Sequence, residues 1–203
     1  MRSTLQLALV VSTAIGLVLA PELSAQSSDY VCPLKGSPQI RPGDAVAGSG
    51  GGFDATRGGG RQHGALDLNS TEGAPVYAAH GGIAALSADG WGPFGSTIIL
   101  DHGDGTYSLY AHLSARTVHE NDSVSAGEQI GSVGYSGNAA PLQAKGLPPH
   151  LHFAVIQATK SGLAGPAGPL RRMRTLDDSW ESPGAEFTGP VNPAGYLPSG
   201  CGS

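Results

Sequence analysis

Charge is scarce in this chain and aromatic rings are few. Charged residues make up 13% of the sequence, and Phe, Trp and Tyr together 6%. With 11 Lys and Arg against 16 Asp and Glu, the formal net charge is -5, so there is no basic field to favour nucleic acid. A negative chain that works on an anionic polymer must rely on local site chemistry. There are no heptads and no repeat of solenoid length, and beyond residue 25 no apolar run could span a bilayer. Only two cysteines occur, Cys32 and Cys201.

Glycine and proline, by contrast, are abundant: 32 Gly and 15 Pro in 203 residues. Such a load of turn formers suits short strands and tight loops better than long helices. A hydrophobic content of 39% is enough for one core. The length bounds the chain to one domain, or one domain with extensions.

Residues 1–25 read as an export signal: Arg2, an apolar run from Leu5 to Ala20, and Leu23-Ser24-Ala25 as a small-residue cleavage site before Gln26. Retention as a membrane anchor is the alternative, although the apolar run is short for a span of about 20 residues. Removing Arg2 and Glu22 leaves the net charge unchanged. Export to the periplasm or the medium puts Cys32 and Cys201 in an oxidising compartment, where a disulfide between them is expected. Two unrelated thiols are the competing reading. The bridge should matter more for stability than for activity, because the candidate site lies far from both cysteines in sequence.

The expected organisation is a signal over 1–25, a Gly/Pro-rich arm over 26–59, a core over 60–157, and a surface excursion with a C-terminal strap over 158–203. The arm carries Gly50-Gly51-Gly52 and Gly58-Gly59-Gly60 and has no helical period, which predicts irregular structure with flexible spots. Short β-type runs at 75–79, 82–87, 96–101, 106–113, 129–134 and 150–157, separated by Gly- and Asp-rich turns, predict an antiparallel all-β domain. Residues 137–149, with three prolines, are expected to be a loop that walls a site. Residues 160–189 read as a surface excursion, and Arg171-Arg172-Met173-Arg174 within it as a solvated charge run.

Three motifs carry chemistry: His63-Gly-Ala-Leu-Asp67, Tyr110-Ala-His112-Leu113 and His150-Leu-His152-Phe153. On a strand, His150 and His152 share one face while Leu151 and Phe153 face a core. Imidazole and carboxylate are zinc ligands, and catalytic zinc keeps three protein ligands and one open position. Two of the histidines with Asp67 could supply those three, leaving the others to move protons. Zinc lowers the pKa of its water to about 7. Each motif alone is weakly specific. His80 in a Gly turn, His102 at a strand end and His119 in a polar loop read as structural or solvent-facing.

Taken in order, the motifs resemble the lysostaphin-type (LytM-like) zinc endopeptidases of peptidoglycan. The resemblance covers about residues 60–157 and includes Gly73-Ala-Pro-Val-Tyr-Ala-Ala79, Ile98-Ile-Leu-Asp-His-Gly-Asp-Gly105, Val124-Ser-Ala-Gly-Glu-Gln-Ile-Gly131, Gly134-Tyr-Ser-Gly137 and Pro149-His-Leu-His-Phe153. Asn192-Pro-Ala-Gly-Tyr-Leu197 is similar to the family's closing strap. The resemblance implies a β-sandwich core of the duplicated-hybrid-motif type with long irregular loops. It also implies one zinc ion per chain held by His63, Asp67 and His152, with His112 and His150 as the catalytic, non-ligand histidines. The expected partner is the peptide part of peptidoglycan, met by a monomer without nucleic acid or stable membrane insertion. Ala65 stands where the family often has Gly, and the loop before His150 is longer than usual. Two other readings compete: a non-catalytic wall-binding relative that activates another hydrolase, and a lipoyl-type carrier suggested by the 124–131 hairpin. The first typically loses ligands, and all five site residues are present here. The second needs a modified Lys at a hairpin tip, and none is there. Whether the scissile bond is a D-Ala crosslink or a glycine bridge stays open.

Overall fold

The computed structural model describes residues 30–43, 50–158 and 187–202. The signal stretch 1–25, most of the 160–189 excursion and its basic cluster lie outside them. No described helix is long and apolar enough to cross a membrane.

Ten strands and one short helix follow in chain order: β1 Leu66–Asn69, β2 Pro75–Tyr77, β3 Gly82–Ala88, β4 Thr97–Asp101, β5 Thr106–Ala111, β6 Leu113–Arg116, β7 Ser123–Val124, β8 Gln129–Val133, α1 Ala140–Ala144, β9 His150–Ala158 and β10 Phe187–Val191. All strand pairings are antiparallel. The larger sheet runs β1-β9-β5-β4-β3-β7, with β10 pairing the second half of β9, and the smaller runs β2-β8-β6. The expected all-β antiparallel architecture is therefore the observed one.

Strand alternation gives the large sheet two buried faces. One presents Ile98, Leu100, Tyr110, Leu151, Phe153 and Val155 to Val76, Leu113, Ile130 and Val133 of the small sheet. The other presents Ile99, Tyr107, Leu109, Ala154 and Ile156, covered by Ala65 and Phe94 with Trp91 packed alongside. Ala65, the departure noted in the sequence, thus fills core space with its methyl group. The central strands β4, β5 and β9 carry apolar residues on both faces, which is why they read as nearly continuous hydrophobic runs.

Four local expectations need correction. The 106–113 run is two strands, because His112 takes a positive φ of 62° and turns the chain between β5 and β6. The 137–149 loop contains a 3-10 turn at Gly137–Ala139 and then α1, started by Pro141, whose fixed φ suits a first helical turn. Residues 187–191, assigned mostly to the excursion, pair with β9 as β10. Finally, residues 66–69 lie outside the expected β-type runs but form β1, which has no β-branched residue; its pairing with β9 supplies the strand geometry that propensity does not.

Cys32 and Cys201 form a disulfide across a sequence separation of 169. The bridge pins the arm to the tail, where Gly202 N also donates to Pro38 O at 2.9 Å. In the chain-entropy description, closing so long a loop contributes up to about 5 kcal/mol. Reduction is expected to lower the thermal midpoint by several degrees or more. Calorimetry with and without reductant checks this, and equal midpoints would show that the bridge adds nothing.

Candidate metal centre

Strand register assembles the site. β1 pairs with β9 so that Asp67 lies opposite His152 and Asn69 opposite His150. On the other edge of β9, Ala111 of β5 lies opposite His152, so the next residue, His112, arrives at the same place. His63 enters from the turn before β1. All five sequence candidates meet in one cleft of about 160 Å³, also lined by Arg41, Arg57, Asn138, Ala139 and Leu142. All five are buried.

Three donor atoms form a tight triangle. Asp67 Oδ1 is 3.0 Å from His152 Nδ1 and 3.2 Å from His63 Nε2, and the two ring nitrogens are 3.3 Å apart. Zinc bonds of about 2.0–2.1 Å at tetrahedral angles set donors about 3.3 Å apart. The protons support the same fit. His63 Nδ1 donates to Gly52 O at 2.9 Å, which leaves Nε2 as the ring nitrogen that faces the Asp67 carboxylate. Nε2, His152 Nδ1 and Asp67 Oδ1 thus converge on one point, as metal donors do. The His63–Asp67–His152 group is the set among the described residues that could hold a metal ion.

His112 and His150 flank the triangle, with ring centroids 5.0 Å apart. His112 Nδ1 donates to Ser136 O at 2.9 Å, which leaves Nε2 as the atom available to chemistry. Gly137 helps place Ser136: a Cβ at 137 would lie 2.2 Å from Pro93 O, so only glycine lets the 136–137 backbone close on the 93–95 turn, which also accepts from His112 N at Phe94 O. His150 Nε2 is 3.6 Å from Asp67 Oδ1, and its buried Nδ1 has no hydrogen-bond partner among the described residues.

Burial alone would push the Asp67 carboxyl up, but the adjacent histidines, His150 foremost, hold it well below the usual carboxylate range. Burial drives His112 well below its ordinary value and His150 down to about 4, and it lowers His102 as well. These three histidines are neutral when folded and free to protonate when unfolded. Stability of the metal-free protein is therefore expected to be complete above pH about 6.5 and to fall as pH drops towards the folded values. Urea midpoints at pH 7.5 and 5 check this, and equal midpoints would contradict it.

The remaining histidines read as expected. His102 bonds Gly81 O at 2.8 Å and Ser108 Oγ at 3.0 Å, His80 packs on Tyr30 and His102, and the His119 side chain is 92% exposed. The strap also docks: Asn192 Oδ1 caps Ala194 N, and Tyr196 OH accepts from Gln157 Nε2.

Sequence reasoning missed Arg41 and Arg57. Both place Nη2 3.2 Å from Asp67 Oδ2. Their arm lies against β1 through Arg41 N to Asp67 O and Asp67 N to Gly51 O, each 2.8 Å. The only signal was Gly50-Gly51-Gly52, read as flexibility. Gly51 serves close approach instead, since a Cβ there would lie 2.5 Å from Asp67 Cβ. Distance in sequence is thus not distance in space: the arm held by Cys32 also supports His63 and Asp67, so reducing the bridge is expected to loosen the centre as well as lower stability.

Comparison with known proteins bears on the family and the fold. Over 161 residues the chain is 27% identical to the cell division protein DipM of Caulobacter vibrioides, covering 79% of this chain and 23% of DipM. It is 35% identical over 103 residues to an L-Ala--D-Glu endopeptidase of Bacillus subtilis, covering 49% and 31%. The chain thus spans less than a third of either relative. A zinc-containing peptidase from Vibrio cholerae shares the fold, with a TM-score of 0.51 at 23% identity over 64% of this chain and 37% of that one. The peptidase family M23 profile matches residues 61–162, half of the sequence, and the chain belongs to that family.

Proposed function

We propose that the chain is a zinc-dependent endopeptidase that hydrolyses peptide bonds of bacterial peptidoglycan, working outside the cytoplasm after loss of residues 1–25. The observation that carries this reading is the donor triangle of 3.0–3.3 Å with two further histidines beside it. His63, Asp67 and His152 would hold the ion. Zinc, when bound, supplies a Lewis acid and brings a water towards ionisation near pH 7.

The rest of the work falls to the chain. His112, with Nδ1 fixed on Ser136 O, is the proton carrier: Nε2 takes a proton from the attacking water and returns it to the leaving amine. His150, neutral at pH 7, donates from its ring to the developing oxyanion. Ala139 and Leu142 add apolar lining to a cleft that also holds Arg41 and Arg57, a mixed surface suited to a peptide substrate. The mature protein, purified with measured zinc occupancy, should release peptides from isolated sacculi, identified by mass, and chelation should stop it. Full occupancy without peptide release would overturn the reading and leave the activator role.

A further inference from the structure

Asp67 divides its two carboxylate oxygens between opposite partners. Oδ1 faces imidazoles, at 3.0 Å from His152 Nδ1, 3.2 Å from His63 Nε2 and 3.6 Å from His150 Nε2. Oδ2 faces cations, at 3.2 Å from Nη2 of both Arg41 and Arg57. The Asp67 side chain is 3% exposed, and those of the arginines 11% and 17%. One guanidinium suffices to balance one carboxylate. A second adds positive charge beside a place that is to hold a dication, which opposes metal binding. Charge balance therefore does not explain the pair.

The arm is nonetheless built to deliver both. Arg41 N and Gly51 O bracket the Asp67 backbone, Gly51 N donates to Arg41 O at 2.7 Å, and Arg57 Nη1 is fixed on Gly50 O. Glycine at 51 allows the contact at all, and only glycine fits at 50, where φ is +90° and a Cβ would lie 2.9 Å from Gly43 N. A guanidinium fork directs its N–H bonds along defined lines. Two such forks meeting on Oδ2 occupy the lone pairs that this oxygen would need to bind a metal.

The geometry points to a clamp: Arg41 and Arg57 are positioning residues that keep Oδ2 engaged, so that Asp67 offers a metal one oxygen and not two. The inference rests on reading His63, Asp67 and His152 as ligands. A carboxylate that binds through both oxygens adds a donor and fills the position that a catalytic site keeps open. The clamp preserves that position and accepts weaker metal binding in return. This differs from a scaffolding role, under which removing the arginines would only damage the site.

Cobalt(II) substitution separates the two. Its visible bands are strong in four-coordinate sites and weaken as coordination rises. Wild type, Arg41→Gln, Arg57→Gln, the double variant, and Arg41→Lys and Arg57→Lys would be loaded with Co²⁺ for spectra and titrated with Zn²⁺ against a chelator. Wild type should give intense four-coordinate bands. The double Gln variant should give weakened bands of higher coordination, with Zn²⁺ affinity raised about tenfold or more because two like charges are gone. The Lys variants, which keep charge without the fork, should weaken the bands without the gain in affinity. Superimposable spectra throughout would overturn the clamp, and so would affinity that falls in every variant, which marks a scaffold. Wild type that takes up no metal would instead refute the ligand reading beneath it. Thermal midpoints, recorded in parallel, identify any variant that fails to fold. The single Lys variants then decide, since lysine retains the charge and most of the volume.

Discussion

Asp67→Ala is expected to lose bound zinc and all measurable hydrolysis. Asp67 supplies the one anionic donor of the triangle, and its Oδ1 stands within 3.2 Å of both partner nitrogens. Without it two imidazoles remain, one fewer than the three protein ligands of a catalytic zinc site. Metal affinity should fall by well over 10²-fold, since even loss of a supporting outer-shell group costs about 10–100-fold. The substitution also removes the negative charge lying between two guanidiniums and three imidazoles, and breaking such a buried pair costs about 3–5 kcal/mol. Asp67→Asn keeps the shape and most of the hydrogen bonding, so it separates metal loss from misfolding. Elemental analysis checks the claim: full zinc occupancy in a folded Asp67→Asn or Asp67→Ala protein would remove Asp67 from the ligand set.

His112 should behave in the opposite way, keeping metal and losing rate. Its replacement is expected to cost on the order of 10²–10⁴-fold in turnover, the range for removing a general acid or base. The choice of substitution matters because His112 sits at φ 62°, where an L-residue without a short polar side chain is strained. Asparagine tolerates that conformation, so His112→Asn changes the chemistry with little effect on the turn between β5 and β6. Zinc occupancy and thermal midpoint should match wild type. A variant that digests sacculi at the wild-type rate would make His112 a turn residue and leave the proton transfer without a carrier. His150→Ala, on regular strand backbone, should likewise keep metal and lose rate.

The parts of this protein that were legible in the sequence are those written in periodic patterns. Alternation in His150-Leu-His152-Phe153 predicts two imidazoles on one face and two apolar groups on the other, and Leu151 and Phe153 do lie in the core between the sheets. The strands of 82–88 and 97–101 carry enough β-branched and apolar residues between turn signals to be read directly. What escaped was set by tertiary contact. Leu66–Asn69 is a strand because β9 pairs with it. The bend at His112 is held by His112 N to Phe94 O and Leu113 N to Ser96 O, bonds that no local pattern announces. Arg41 and Arg57 are isolated arginines in a glycine-rich stretch, and the chain must fold before they share a target. The glycines of the arm were read only as flexible spots. Here Gly51 marks the place where two backbones touch.

The Cys32–Cys201 bridge has a last consequence for proteolysis. It makes residues 32–201 a covalent ring, and every part of the candidate centre, from Arg41 to His152, lies on it. A single cut anywhere between the two cysteines yields two fragments that remain one molecule. Clipped protein would migrate as intact on a gel run without reductant and separate into pieces only when reductant is added. Because the whole site lies between Cys32 and Cys201, one cleavage event can shed sequence that precedes Cys32 but cannot detach any group of the site.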